Sequence, residues 1–159
     1  MADYIKPVVF KINNQLFGVD INLVQSIEKD IEVVMVPNAM HYISGIVNLR
    51  NEVIPVFNLK KKFGFPDSSS GVIKDTAIIV DLPGMIKLAL EVDEVMEIGD
   101  ISPDAIVSMP MIAKTDESQY LDRVASVNKK LIILLDVAKL ISESEAENLK
   151  KLAEELSND

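Results

Sequence analysis

Cysteine and tryptophan are absent from this chain, and histidine occurs once. Without cysteine there is no disulfide framework, no zinc–thiolate site and no thiol nucleophile. With His41 alone, most histidine-dependent catalysis and metal binding is hard to assemble. Bases are scarce as well: 16 Lys and Arg stand against 25 Asp and Glu, a formal net charge of −9. That balance offers no electrostatic footprint for nucleic acid. Long apolar runs are missing. The longest, residues 131–135, falls far short of the ~18 residues of a membrane span. Lys6 and Pro7 interrupt the N-terminal segment before a signal-peptide core can form. The expectation is a non-enzymatic protein of a reducing cytoplasm, with no membrane insertion, no metal and no cofactor.

What is present is β-branched. The chain holds 19 Ile and 18 Val against 15 Leu. Such side chains lose rotamer freedom in a helix and pack well on a pleated surface. A mainly β protein with few helices is expected. The chain has the size of one domain or two small lobes.

Four hairpins punctuate it. Residues 8–12 and 15–19 flank Asn13-Asn14, and asparagine tolerates the left-handed backbone of a tight turn. Residues 45–50 and 53–59 flank Asn51-Glu52. Residues 76–82 and 85–92 flank Pro83-Gly84. Residues 121–127 and 130–136 flank Asn128-Lys129. Between the first two, Asp20 reads as an N-cap. Ile21, Val24 and Ile27 follow at a spacing of three, the face of a short helix. Residues 32–36 read as a strand, 60–63 and 137–141 as helical turns, 93–98 as a strand and 99–117 as a long irregular connection. Residues 67–71, Asp-Ser-Ser-Ser-Gly, form the clearest loop. Residues 142–157 carry Ala146, Leu149, Leu152, Ala153 and Leu156 at helical spacing. Ser142 with Glu145 and Ser144 with Glu147 each fit a capping box. This amphipathic helix is suited to docking on the parent barrel or on a partner.

The hairpins repeat. Residues 42–63 align without gaps on 120–141 at an offset of 78, Tyr42 on Tyr120, Ile54 on Ile132 and Lys61 on Lys139. A second stretch aligns at an offset of 71: Asp20 on Glu91, Val24 on Val95 and Ile27 on Ile98. Two blocks in the same order imply two similar lobes, 8–66 and 73–141, divided by a linker at 67–72. Each lobe would hold about five short strands, closed or nearly closed into a barrel that removes exposed edges.

Residues that carry chemistry are few. No phosphate-binding, nucleophile-elbow or metalloprotease motif occurs. Glu91, Asp93, Glu94, Glu97, Asp100 and Asp104 form an acidic stretch whose spacing fits no calcium loop. It reads as a solvated edge able to steer a basic partner. Residues 45–66 carry four bases and one acid, so the surface is expected to be bipolar. Lys60, Lys61 and Lys62 read as a solvated face. His41 lies in an expected loop, without a second histidine or a Ser–acid pattern, and no catalytic residue is assigned. Arg50, at the end of a strand beside a turn, is either a structural ion-pair partner or an interface anchor. A small ligand-binding barrel or a hydrolase would need polar groups converging in a pocket.

Several segments resemble one family. Phe17-Gly18-Val19-Asp20-Ile21, Val24-Gln25 and Val36-Pro37-Asn38 are followed by Gly45-Ile46-Val47-Asn48-Leu49-Arg50. Val53-Ile54-Pro55-Val56 and Phe63-Gly64 complete the first half, and residues 131–136 before Lys139-Leu140 echo it. Together they resemble the CheW family of chemotaxis coupling proteins, over roughly residues 8–141. The resemblance implies a single CheW-like domain over 1–159. Its fold would be mainly β, two pseudo-symmetric five-stranded lobes of SH3-like barrel type with short helices and the C-terminal helix 142–157. It implies a scaffold that couples the cytoplasmic tips of methyl-accepting chemotaxis proteins to the regulatory domain of the histidine kinase CheA, at membrane-associated chemoreceptor arrays. A specialised coupling adaptor of another chemosensory array is the alternative. By motif position, Val24, Gly45 and Arg50 would contact the receptor. Val24 would offer apolar surface, Gly45 close backbone approach and Arg50 a partner for a receptor acid. Kinase-contacting residues are not placed by motif. Three residues depart from the family pattern. Ser26 stands where Glu is frequent, Asn51 where Gly follows the Leu-Arg pair, and Asn58 where Asp is frequent. Asn51 can still adopt the turn conformation.

Overall fold

The protein is described by a computed structural model over residues 6–37, 42–64, 76–82, 87–96, 100–108, 121–139 and Lys151. Eleven strands are seen among these residues: β1 (Pro7–Ile12), β2 (Gln15–Asp20), β3 (Val24–Lys29), β4 (Ile43–Leu49), β5 (Glu52–Asn58), β6 (Thr76–Asp81), β7 (Lys87–Val92), β8 (Glu94–Met96), β9 (Ile106–Ser108), β10 (Leu121–Val127) and β11 (Lys130–Leu135). One α-helical turn, α1 (Leu59–Lys62), follows β5. The chain is mainly β, as its β-branched composition requires.

The strands form two sheets. Lobe one runs β8-β1-β2-β11-β10-β9, and lobe two runs β3-β6-β7-β5-β4. An isolated bridge from Val34 to Ile46 extends lobe two beyond β4. The expected split into sequential lobes 8–66 and 73–141 is therefore corrected. Each half of the chain lends its first hairpin to the other half's sheet. β1 and β2 complete the lobe built by β8–β11, through a parallel pairing of β2 with β11. β6 and β7 complete the lobe built by β3–β5, through a parallel pairing of β7 with β5. Pairing across such distances leaves no trace in local periodicity. The linker at 67–72 and the segment around His41 lie outside the described residues. So does the C-terminal helix at 142–157, save Lys151, which is helical and exposed.

The repeat itself is built into the backbone. Leu49 pairs with Glu52 across one hairpin, and Val127 with Lys130 across the other. Both pairs differ by 78. The bulges obey the same offset, between Ile43 and Gly45 and between Leu121 and Arg123. The expected turn at Asn51-Glu52 is corrected to Arg50-Asn51, whose φ angles are 51° and 68°. Asn128 and Lys129 match them at 51° and 66°, and Asn13 and Asn14 at 52° and 66°. Two consecutive positive φ values in a two-residue loop define the turn whose twist suits a hairpin.

Three clusters make the core. One fills each lobe: Val9, Leu16, Ala125, Ile132 and Leu134 in lobe one, and Val47, Ile54, Val56, Ala77, Ile79 and Ala89 in lobe two. The third joins the lobes. Phe10, Ile12, Phe17 and Val19 from lobe one meet Phe57, Ile78, Val80, Leu88 and Leu90 from lobe two. Phe17 stacks on Phe63, with ring centroids 4.9 Å apart. The crossover from β7 to β8 is pinned at Asp93. Its carboxylate accepts from the Asn13 backbone N–H at 2.9 Å and pairs with Lys60 on α1 at 3.3 Å. Asp93 thus ties a hairpin turn of lobe one to the helical turn that follows β5 of lobe two. It also joins the acidic stretch to the basic one, so the expected separate poles meet at this ion pair.

Candidate interaction face

The helix expected over Ile21, Val24 and Ile27 is a single 3-10 turn, Ile21–Leu23, followed directly by β3. Asp20 does cap the turn, accepting from the Asn22 backbone N–H at 2.9 Å. β3 carries a bulge at Val24/Ser26 but keeps its alternation: Val24, Ser26 and Glu28 are half-buried, while Gln25, Ile27 and Lys29 are exposed. Val24 packs partly against the inter-lobe core. Ile21 and Ile27 stay exposed, at 46% and 43%. The strand expected at 32–36 is reduced to the bridge at Val34. Val34 and its neighbour Met35 are 60% and 83% exposed. Val34 and Met35 thus lie on the segment that bridges to β4, and Ile21 and Ile27 on the 3-10 turn and on β3. None was singled out as an exposed contact from sequence, because exposure depends on how β3 and the segment around Val34 pair with distant strands.

Gly45 lies under that bridging segment. The Val34 N–H donates to the Ile46 carbonyl at 2.8 Å, and the Ile46 N–H donates to the Val34 carbonyl at 2.9 Å. A Cβ on Gly45 would sit 2.2 Å from the Val34 carbonyl oxygen, and its φ of +153° is one that L side chains rarely adopt. The close backbone approach expected of a receptor is occupied by this chain's own residues 33 and 34.

Arg50 occupies the first turn position of the β4–β5 hairpin. Its guanidinium reaches Glu28 on β3 at 3.3 Å, while its side chain remains 67% exposed. β3 and β4 are the two edges of the sheet, so this pair spans the lobe's open side. The ion-pair reading of Arg50 is therefore present in the structure. An exposed pair of this kind contributes about 0–1 kcal/mol, which leaves most of the guanidinium available to a partner. Arg50 and β3, which Val24 begins, thus meet at one seam, and Gly45 holds the backbone that crosses it.

Of the departures from the family pattern, Asn51 adopts the turn conformation as expected. Asn58 caps α1, accepting from the Lys61 backbone N–H at 3.1 Å. Ser26 has a buried Oγ with no hydrogen-bond partner among the described residues. Among the described residues no group of three or more acids and histidines could hold a metal ion. Among them, too, no helix is long and apolar enough to cross a membrane.

Residues 6–145 match the model of the CheW-like domain. This chain belongs to the CheW family. Its CheW-like region spans both lobes and nearly the whole described structure. The chain is 30% identical over 140 residues to the chemotaxis protein CheW of Klebsiella aerogenes, covering 87% of this chain and 82% of that one. It is also 30% identical over 148 residues to the chemotaxis protein CheW of Treponema pallidum, covering 91% and 86%. Among solved structures it is similar to the scaffolding protein TtCheW from Thermoanaerobacter tengcongensis. There the TM-score is 0.74 at 34% identity, over 84% of this chain and 90% of that one. The family is one of chemotaxis scaffolds, and the mainly β two-lobed fold agrees with it.

Proposed function

We propose that this CheW-family chain is a non-enzymatic adaptor that couples the cytoplasmic tips of methyl-accepting chemoreceptors to the regulatory domain of the histidine kinase CheA. It would work in the cytoplasm, at membrane-associated receptor arrays. The observation that carries the reading is the apolar seam of lobe two. Val34 and Met35 are exposed on the segment that crosses Gly45, Arg50 reaches from the β4–β5 turn to Glu28 on β3, and Ile21 and Ile27 are exposed on the turn before β3 and on β3 itself. An exposed apolar patch with one arginine at its margin suits the docking of a helical hairpin by its apolar face. In this reading Val24 and the four exposed residues supply apolar contact. Gly45 keeps the seam flat by letting Val34 cross it. Arg50 exchanges Glu28 for a receptor acid.

The test is co-sedimentation with receptor-tip fragments and kinase, together with receptor-dependent kinase activity. The wild-type chain should bind both partners and raise kinase activity. Arg50→Glu should reduce receptor binding while the far-UV spectrum stays unchanged. A folded Arg50→Glu protein that couples normally would remove Arg50 from the receptor face.

A further inference from the structure

The internal repeat lets each lobe serve as a reference for the other. The hairpin β4–β5 maps on β10–β11 at the offset of 78. The parallel strands β7 and β2 map at 71, because Val56 pairs with Ala89 and Leu134 with Gly18. In lobe two, Lys87 at the start of β7 lies between two acids. It pairs with Glu52 on β5 at 2.9 Å and stands opposite Asp81 in the register with β6. The counterparts in lobe one invert this arrangement. Leu16 replaces Lys87, Lys130 replaces Glu52, and Lys11, which stands opposite Leu16, replaces Asp81. Two lysines flank an apolar residue where two acids flanked a lysine.

That place is a groove. An open cavity of about 610 Å³ is lined by Lys11, Asn14, Gln15, Leu16, Val124, Lys130, Leu131 and Ile133. Leu131 is 66% exposed in it. Among the described residues neither Lys11 nor Lys130 makes an ion pair. The one acid in register beside them is Glu94 on β8, opposite Lys11. Lys129 adds a further positive charge at the turn. The groove has an apolar floor and a basic rim on a chain whose net charge is −9.

We propose that this groove of lobe one is a second docking site, for an amphipathic helix of a partner protein with acidic residues flanking its apolar stripe. The apolar stripe covers Leu16, Val124, Leu131 and Ile133, as helix-in-groove recognition requires. An acidic side chain enters between Lys11 and Lys130, the reverse of Lys87 between Asp81 and Glu52. The groove lies on lobe one and the seam at Arg50 on lobe two, so the two partners share no contact residue.

The test uses the intact chain and a labelled synthetic 14-residue peptide with leucine at positions i, i+3, i+4 and i+7 and glutamate flanking them. A matched peptide with lysine for each glutamate is the control. Fluorescence anisotropy should show binding of the glutamate peptide and weaker binding of the lysine peptide. Leu131→Glu and Lys130→Glu, both at exposed positions, should each weaken the glutamate peptide at least tenfold. Lys130→Glu should also narrow or reverse the preference between peptides. Arg50→Glu should leave peptide binding unchanged. Equal affinity for the two peptides, no binding of either, or undiminished binding by both groove variants would overturn the proposal. So would a wild-type dimer in light scattering that Leu131→Glu converts to monomer, because a second copy would then cover the groove.

Discussion

At the residue scale, Gly45 and Ser26 separate structure from recognition. The Gly45 position faces a backbone carbonyl, which cannot rotate away as a side chain would. Gly45→Ala places a Cβ 2.2 Å from the Val34 oxygen at a φ of +153°. The bridge between Val34 and Ile46 must then break or the backbone must strain. We expect Gly45→Ala to cost about 3 kcal/mol, within the range for strain at special backbone positions. Chemical denaturation would measure it. Lost receptor binding at an unchanged denaturation midpoint would instead make Gly45 a direct contact. Ser26 carries the opposite signature. Its buried Oγ has no partner among the described residues, so it carries a desolvation cost without a compensating bond. Ser26→Ala should leave stability unchanged or raise it by up to about 1 kcal/mol. A clear fall in the denaturation midpoint would reveal a hydrogen bond to Oγ.

At the element scale, the three described hairpin turns place six non-glycine residues at positive φ. Asparagine tolerates that region through its short polar side chain, and lysine and arginine do not. Lys129 and Arg50, at φ 66° and 51°, are therefore the two strained choices among them. Lys129→Gly relieves that strain but loosens the unfolded chain. The net effect should be a gain of roughly 0.5 kcal/mol, seen as a higher thermal midpoint. Lys129→Val should lower it by about 1–2 kcal/mol, since a β-branched residue fits the left-handed region worst. These turns also show how much of the fold was legible in the sequence. Asn13-Asn14 and Asn128-Lys129 announce their hairpins by residue type. Arg50-Asn51 does not, because arginine carries no turn signal, so residue type places this turn one position late, at Asn51-Glu52. The 3-10 turn at Ile21–Leu23, running directly into β3, imitated a helical period of three. At the candidate seam, Val24 and Arg50 were legible through motif position. Ile27, Val34 and Met35 were not, because their exposure follows from β3 being a strand and from the bridge across Gly45.

At the scale of the whole molecule, the repeat was visible but the exchange of hairpins was not. An offset between similar segments reports that two lobes exist. It carries no information on which β1–β2 or β6–β7 hairpin joins which sheet. The exchange has a thermodynamic consequence. Cutting the chain between residues 67 and 72 separates β1–β5 from β6–β11. Each fragment then lacks the hairpin that its own sheet needs beside β5 or β11. It also loses one side of the shared core, where Phe10 and Phe17 meet Phe57 and Leu90. Neither fragment has a complete hydrophobic unit, so each alone should be largely unfolded by near-UV circular dichroism and amide dispersion. Mixed in equal amounts, they should recover the native spectrum. The uncut chain should unfold in one transition, with far-UV and near-UV signals coincident. A fragment 73–141 that folded alone, or two separated transitions in the intact chain, would mean that the lobes are sequential. The single transition matters for coupling as well. If neither lobe can unfold without the other, opening of one sheet exposes the common core of both, and core substitutions in β2 should change hydrogen exchange in β5 and β7.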